Sequence, residues 1–142
     1  MKLKNIKIAT ILPYKENYTH SKASAASLWV SEFFKKSRFR NNNYIFGSTL
    51  DNDYLGKNYI NIELKNIKSK FKSTTSEYLK KLIKKIDKKS FDIIEVHNRP
   101  LILEYLLRNI KSRFIFYFHN DPLSMNGSKS EKQRLNIIKN VE

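Results

Sequence analysis

The stretch of sequence that decides the fold covers residues 91–120 and reads FDIIEVHNRPLILEYLLRNIKSRFIFYFHN. Its apolar residues form two strand-like runs, 91–96 and 114–118, on either side of a helical pattern at 101–110. Pro100 lies just inside the start of that helix, where no backbone N–H is needed. A strand, a helix and a strand within this length are typical of a compact βαβ unit. We therefore expect two parallel strands joined by a right-handed crossover.

The rest of the chain supplies the other elements of such a sheet. The patterns predict strands at 6–12, 44–47 and 59–64, and helices at 23–37, 74–89 and 128–142. The strand at 59–64 alternates polar and apolar residues, which indicates an edge strand or one wet face. Capping-box patterns at 74–77 and 128–131 mark the starts of the helices at 74–89 and 128–142. The polar residues 65–73 have no assigned structure. This order predicts a single Rossmann-like three-layer α/β domain over residues 1–142, with a mainly parallel sheet.

The composition limits the classes of function. The formal charge is +15 and the pI is near 9.9, but 22 of the 28 basic residues are Lys. Lys, Asn and Ile all have AT-rich codons, so the charge indicates a nucleic-acid partner only weakly, and such partners usually favour Arg. The chain has no Cys, which excludes disulfides, thiolate metal sites and a Cys nucleophile. The apolar run at 8–12 is too short for a signal peptide or a membrane span, so we expect a cytoplasmic chain.

Polar residues follow both strands of the βαβ unit, at the edge where ligands bind in such sheets. His97, Asn98 and Arg99 follow the first strand, and His119 and Asn120 follow the second. With the carboxylate of Asp121, which comes next, the imidazole, amide and guanidinium groups suit a polyhydroxylated or phosphorylated ligand, and Arg99 at a helix start favours an anion. The alternative is that these residues only form turns and satisfy backbone groups.

Neither a metal nor a dinucleotide cofactor is predicted. The two His with Asp121 or Glu95 could form a facial triad, but strand alternation does not force these side chains to converge. The first strand–loop–helix junction, at 18–26, contains no Gly. Without Gly the backbone cannot readily wrap a pyrophosphate, which argues against a dinucleotide.

A basic stripe runs along the helix predicted at 74–89. It lies opposite the apolar face and contains Lys80, Lys81, Lys84, Lys85 and Lys88. A solvated surface is the simplest interpretation. The functional alternative is peripheral contact with an anionic membrane, at the inner face of the plasma membrane. Nucleic acid is disfavoured, because the aromatic residues are not interleaved with these lysines.

Residues 91–100 resemble the DIIxVHN-P stretch in the amino-terminal domain of family 4 glycosyltransferases. Residues 116–122 are similar to the following strand of that domain, which ends in a His-Asp type turn. The opening strand and the small-residue helix after it also align in order, so the resemblance covers essentially the whole chain. It implies one half of a GT-B fold, in which two Rossmann-like domains face each other across a cleft.

The same resemblance implies an activity and roles for individual residues. In this family the amino-terminal half binds the acceptor and the other half binds the nucleotide sugar. It therefore implies retaining transfer of a sugar from a nucleotide-sugar donor to a glycan or lipid acceptor, in cell-surface glycan biosynthesis. It places His119 and Asp121 at the catalytic wall of the cleft. It implies that the acceptor is bound by His97, Asn98, Arg99 and Asn120.

The sequence departs from the family pattern in two ways. Ser21, Lys22 and Ala23 occupy the donor-phosphate loop, where the family has a Gly-Gly pair. The nucleotide-binding half, with its paired glutamates, does not follow. We therefore expect a truncated or split product that ends within a helix and is inactive alone, since half of the transition-state electrostatics would be missing. The alternative function is a non-enzymatic Rossmann-like module that recruits a partner or an anionic membrane surface.

Overall fold

The computed structural model describes residues 5–14, 16–64 and 73–142, which contain five strands and four helices. The strands are β1 Ile8–Ile11, β2 Asn43–Gly47, β3 Tyr59–Asn61, β4 Ile93–His97 and β5 Arg113–Tyr117. The helices are α1 Ala25–Lys36, α2 Thr74–Asp87, α3 Pro100–Asn109 and α4 Glu131–Asn140, with a 3₁₀ turn at Pro122–Ser124. Every strand and helix predicted from the sequence has a counterpart at its expected place.

All five strands are parallel and lie in the order β3-β2-β1-β4-β5. This order and the flanking helices define a Rossmann-like α/β domain, as predicted. The strand β3 lies at an edge, which agrees with its alternating sequence. The strands of the βαβ unit, β4 and β5, are direct neighbours, and His97 is paired with Tyr117 at their ends.

One face of the sheet packs against α2 and α3 through apolar side chains. Leu82 of α2, Ile94 of β4 and Leu106 of α3 belong to one core cluster and have no exposed surface. Full burial of each such side chain contributes about 1.5–3 kcal/mol. Tyr78 is also completely buried, and its hydroxyl donates a hydrogen bond of 2.7 Å to the carbonyl of Leu12. The end of β1 is thus fixed to α2.

The opposite face, under α1, combines an apolar cluster with a buried polar layer. Val30 and Phe34 of α1 pack on Ile45. Beside them, the Thr10 hydroxyl lies 3.1 Å from Asn43 Oδ1 and 2.9 Å from Glu95 Oε2. A hydroxyl has one proton and cannot donate to both oxygens. Burial raises the pKa of Glu95, and a protonated Glu95 can donate to Thr10, which then donates to Asn43.

The helix starts differ in detail from the predicted ones. The helix α2 is capped by Ser73, whose hydroxyl accepts from the Ser76 amide, and Thr74 is already helical. The helix α4 is capped by Ser130 with Gln133 in a complete capping box. The predicted cap Ser128 is wrong, because its buried hydroxyl instead donates to the carbonyl of Pro122 at 2.6 Å.

The prediction that the final helix runs to the last residue is also wrong. The helix α4 ends at Asn140, and Val141 has an extended backbone. The amide of Glu142 donates to the carbonyl of Phe114 at 2.9 Å, and its carboxylate binds Arg113. These contacts with β5 draw the chain out of the helix.

Two further expectations can be compared with the structure. The segment with no assigned structure falls almost wholly on residues 65–72, which lie outside the described residues. Among the helices of the described ranges, none has the length and apolar character needed to cross a bilayer.

Gly127 is the position where the fold depends most directly on a glycine. Its φ is +93°, and an added Cβ would lie 3.0 Å from Pro100 Cβ and 3.2 Å from the Leu101 nitrogen. We expect Gly127→Ala to lower the free energy of unfolding by about 1–3 kcal/mol, measured by chemical denaturation.

Gly56→Ala is the matched control for this prediction. Its added Cβ would meet only Tyr18, at 3.4 Å or more, so the substitution should be neutral or stabilising by up to about 1 kcal/mol. Equal stability changes in the two variants would contradict the role given to Gly127.

Candidate functional site

The structure brings the two predicted histidines together at the carboxyl edge of the sheet. His97 Nδ1 lies 2.8 Å from His119 Nε2, which is a hydrogen-bond distance. The two rings are stacked, with centroids 5.1 Å apart and planes 20° apart. Because β4 and β5 are parallel neighbours, both strand ends deliver their imidazoles to the same place.

Asn98 holds this arrangement through its backbone and its side chain. Its φ of 55° is in the left-handed region, which Asn tolerates better than most residues. Its amide donates to the carbonyl of Tyr117 at 2.8 Å, and its Oδ1 accepts from the amide of His119 at 3.3 Å. The side chain is buried and engaged within the protein. Its role on the acceptor side stays a prediction, and in the structure Asn98 links the turns that carry the two histidines.

The pKa of both imidazoles is lowered, which favours their neutral forms. Burial, with a smaller contribution from His119, lowers the pKa of His97 to about 3. Burial also lowers the pKa of His119. His97 has no exposed surface, and its Nε2 has no hydrogen-bond partner among the described residues. His119 is half-buried, so it is the histidine of this pair that a ligand can reach.

Aromatic rings enclose the histidine pair on the α1 side. Tyr117 stacks on His97 at 4.8 Å, and Trp29 meets His119 edge-on at 5.5 Å. Trp29 also stacks on Phe33, and both side chains are more than 40% exposed. Trp29 is one of the apolar residues at helical spacing in α1, and the structure leaves it partly exposed beside His119. The signal that points to the site is its position near the start of the helix, which follows the carboxyl end of β1.

A cleft of about 540 Å³ opens at the start of α3, and the described residues that line it include neither His97 nor His119. It contains two of the predicted residues, Arg99 and Asn120, both exposed. Its other polar lining residues are Tyr14, Thr75, Ser124, Asn126 and Lys129. The last three lie in the turns before α4 and carried no signal in the sequence. No carboxylate lines the cleft among the described residues, and Arg99 and Lys129 give this lining a positive charge.

Asp121 does not meet His119 in a hydrogen bond within the described residues. Its carboxylate accepts from the amide of Leu123 at 2.9 Å and caps the 3₁₀ turn that follows. The catalytic role of His119 and Asp121 therefore stays a prediction.

The predicted donor-phosphate loop binds carboxylates of the protein itself. The Ser21 amide donates to Asp53 at 2.8 Å, and the Lys22 ammonium pairs with Asp51 at 2.9 Å. Ala23 is half-buried beside them. A donor phosphate at this loop would have to compete with these two carboxylates.

The lysines of α2 divide into two groups. Lys81 and Lys85 donate to the carbonyls of Glu63 and Asn61, which attaches the helix to the end of β3. Three exposed lysines, one turn apart, make no ion pair or hydrogen bond among the described residues: Lys80, Lys84 and Lys88.

Comparisons with known proteins add no family to this description. The sequence matches no protein-family model and no curated protein, and the structure matches no solved structure. No cluster of three His, Cys, Asp or Glu residues that could hold a metal ion occurs in the part of the chain that the structure describes.

The burial of His97 predicts a pH dependence of stability. Its folded pKa of about 3 lies below the ordinary value near 6.5, so below about pH 6.5 the unfolded chain binds a proton that the folded chain does not. This contribution is complete above pH 6.5 and is lost towards pH 3, by about 1.4 kcal/mol per pH unit. We expect His97→Phe, which keeps the stacking on Tyr117, to flatten the fall in unfolding free energy between neutral pH and about pH 4.

Two neighbouring groups, His119 and Glu95, also make the unfolding free energy depend on pH, and both are still present in His97→Phe. His119, with a lowered pKa, contributes in the same direction, whereas Glu95, with a raised pKa, stabilises the fold towards low pH and loses that effect as the pH rises. Identical pH profiles for the wild type and His97→Phe would show that the His97 pKa is not lowered.

Proposed function

We propose that this chain is the acceptor-binding half of a retaining glycosyltransferase, which moves a sugar from a nucleotide-sugar donor to a glycan or lipid acceptor. The observation that carries the proposal is the polar cleft at the carboxyl edge of the sheet, lined by Arg99 and Asn120, which follow His97 and His119 in the sequence. Ligands of such sheets bind at this edge. The resemblance of residues 91–100 to family 4 glycosyltransferases supports the same conclusion.

The lining of the cleft suits a hydroxyl-rich ligand. Asn120 and Asn126 offer amide donors and acceptors, and Thr75 adds a hydroxyl group to the residues that line the cleft. Arg99 provides a planar fork of donors that can hold two oxygens at once. A sugar with several hydroxyls, or a phosphate attached to one, can satisfy these groups together.

The neutral histidine pair suits the reacting end of the acceptor. Since His119 Nε2 is bonded to His97, the other ring nitrogen of His119 is left to hydrogen-bond an acceptor hydroxyl. In the transfer, that hydroxyl oxygen bonds to the anomeric carbon and the bond from this carbon to the nucleotide phosphate breaks. The phosphate oxygen of the leaving group takes the hydroxyl proton. The donor-binding groups come from a second domain.

Replacement of Arg99 tests the proposal. Arg99 is exposed and its side chain makes no hydrogen bond within the described residues, so Arg99→Ala should leave the fold intact. We expect the variant to bind glycan or lipid-linked glycan about tenfold more weakly than the wild type, measured by saturation-transfer NMR over a panel of acceptors.

Arg108→Ala is the control, because Arg108 lies on the same helix but pairs with Glu104 away from the cleft. It should bind the same glycan as the wild type. A wild-type chain that binds no member of the panel would overturn the proposal. Sugar transfer from a nucleotide donor by the 142-residue chain alone would show that the second domain is not required.

A second candidate function is a module that binds an anionic membrane surface. The observation that favours it is the exposed row of Lys80, Lys84 and Lys88 on one side of α2. Each lysine near an anionic bilayer contributes about 1 kcal/mol. Three together are enough for weak, salt-sensitive attachment.

Charge reversal of that row tests the second candidate. We expect the triple variant Lys80→Glu, Lys84→Glu and Lys88→Glu to lose sedimentation with vesicles that contain phosphatidylserine, because the attraction becomes repulsion. Reversal of Lys35, Lys36 and Lys132, which lie on other helices, is the charge-matched control. Equal sedimentation of the two triple variants would exclude α2 as the contact surface.

A further inference from the structure

A second pocket lies under α1, and it shares no lining residue with the cleft at the carboxyl edge. Its volume is about 330 Å³. It is bounded by the second half of α1, by the start of β2 and by the turn before β3. Its apolar wall consists of Tyr18, Phe34, Ile45 and Leu55. The pocket therefore lies towards the amino ends of β2 and β3.

Two polar groups in the wall of this pocket lack a close hydrogen bond within the part of the chain that the structure describes. Ser31 and Asn43 both line it and are only 3% and 2% exposed. The hydroxyl of Ser31 and the Nδ2 of Asn43 make no hydrogen bond of 3.5 Å or less among the described residues. The Tyr18 side chain lies near Ser31, since burial raises the pKa of Tyr18 and the Ser31 hydroxyl partly opposes that rise. The other end of the Asn43 amide is held by Thr10, so one end stays unpaired whichever way the amide is turned.

A buried polar group without a hydrogen bond destabilises the folded protein, so the Ser31 and Asn43 groups point to a ligand in this pocket. Each one costs about 1–3 kcal/mol relative to a paired group. A fold that only needed to fill this space could use apolar residues there without that cost. A ligand that brings a hydrogen-bonding group to Ser31 and Asn43 removes this free-energy cost.

The mouth of the pocket carries positive charge. Arg40 and Lys57 line it, are exposed, and form no ion pair among the described residues. Lys35 lies beside them but is paired with Glu32. Of the residues that the structure describes, no Asp or Glu lines the pocket. The pocket thus has an apolar wall with unpaired polar groups and a cationic mouth.

We infer that this pocket binds a small organic anion, with a compact apolar ring, a hydrogen-bonding group at its inner end and a carboxylate or phosphate at its outer end. The ring packs between Phe34 and Ile45. The inner group bonds to Ser31 and Asn43, and the anionic group faces Arg40 and Lys57.

The test uses 4-hydroxybenzoate as the probe, which has these three parts in the required order. We expect NMR titration of the full chain to show binding, with shifts at the Ile45 methyl groups and the Asn43 side-chain amide. Benzoate, without the hydroxyl, and phenol, without the carboxylate, should each bind about tenfold more weakly.

Ser31→Ala separates a ligand contact from a structural role. Removal of an unpaired buried hydroxyl should leave the free energy of unfolding unchanged or higher, yet 4-hydroxybenzoate affinity should fall about tenfold. Ser27→Ala, one turn earlier on α1, is the control. The Ser27 hydroxyl is buried but accepts from Ser24 at 3.1 Å, so this variant should lose stability and keep the affinity.

Three outcomes would overturn the inference: no binding at millimolar probe, equal affinities for benzoate and 4-hydroxybenzoate, or unchanged affinity in Ser31→Ala. The double variant Arg40→Ala and Lys57→Ala should weaken binding and reduce its salt dependence. Arg99→Ala should have no effect here. Failure of this inference is therefore distinguishable from failure of the acceptor-binding proposal.

Discussion

The link that Asn98 makes between the ends of β4 and β5 is the interaction on which the candidate site depends. Parallel pairing brings the two strand ends to one edge, but it does not by itself fix the turns beyond them. Asn98 does so with two bonds, one to the carbonyl of Tyr117 and one from the amide of His119. Its left-handed backbone favours Asn over most other residues. The 2.8 Å contact between the imidazoles follows from this turn.

The polar layer under α1 is the second constraint, and it reaches from one end of the sheet towards the other. Glu95 and His97 are two residues apart on β4, so their side chains point to the same face of the sheet. The strand register places Thr10 and Asn43 on that face as well. Most sheets of this kind bury apolar residues on both faces. Here His97 contributes to the site at the carboxyl edge, while Asn43 lines the pocket near the amino ends of β2 and β3. A single buried layer thus serves two separate places on the molecule.

The fold could be read from the sequence because its signals are periodic and local. The apolar runs at 91–96 and 114–118 predict two strands, and the helical spacing between them predicts the crossover. The structure has both features, with β5 at an edge of the sheet. The exact first residue of each helix was harder to predict, because several serines that could cap the helix lie close together before it. Ser128 and Ser130 carry the same local signal, and only the tertiary contact of Ser128 with Pro122 decides between them. The end of α4 likewise depends on pairing with β5, which no local pattern encodes.

The site was only half visible in the sequence, for a physical reason. His97 and His119 lie at the ends of strands, so the topology alone puts them at the carboxyl edge of the sheet. Lys129 and Asn126 reach the cleft through turns whose path depends on the close approach of Gly127 to Pro100. The position of Trp29 against His119 has a further consequence, because the chain contains one tryptophan. The indole emission of the whole protein therefore originates at this corner, where a charged imidazolium would quench it, and intrinsic fluorescence reports on the histidine pair without any label.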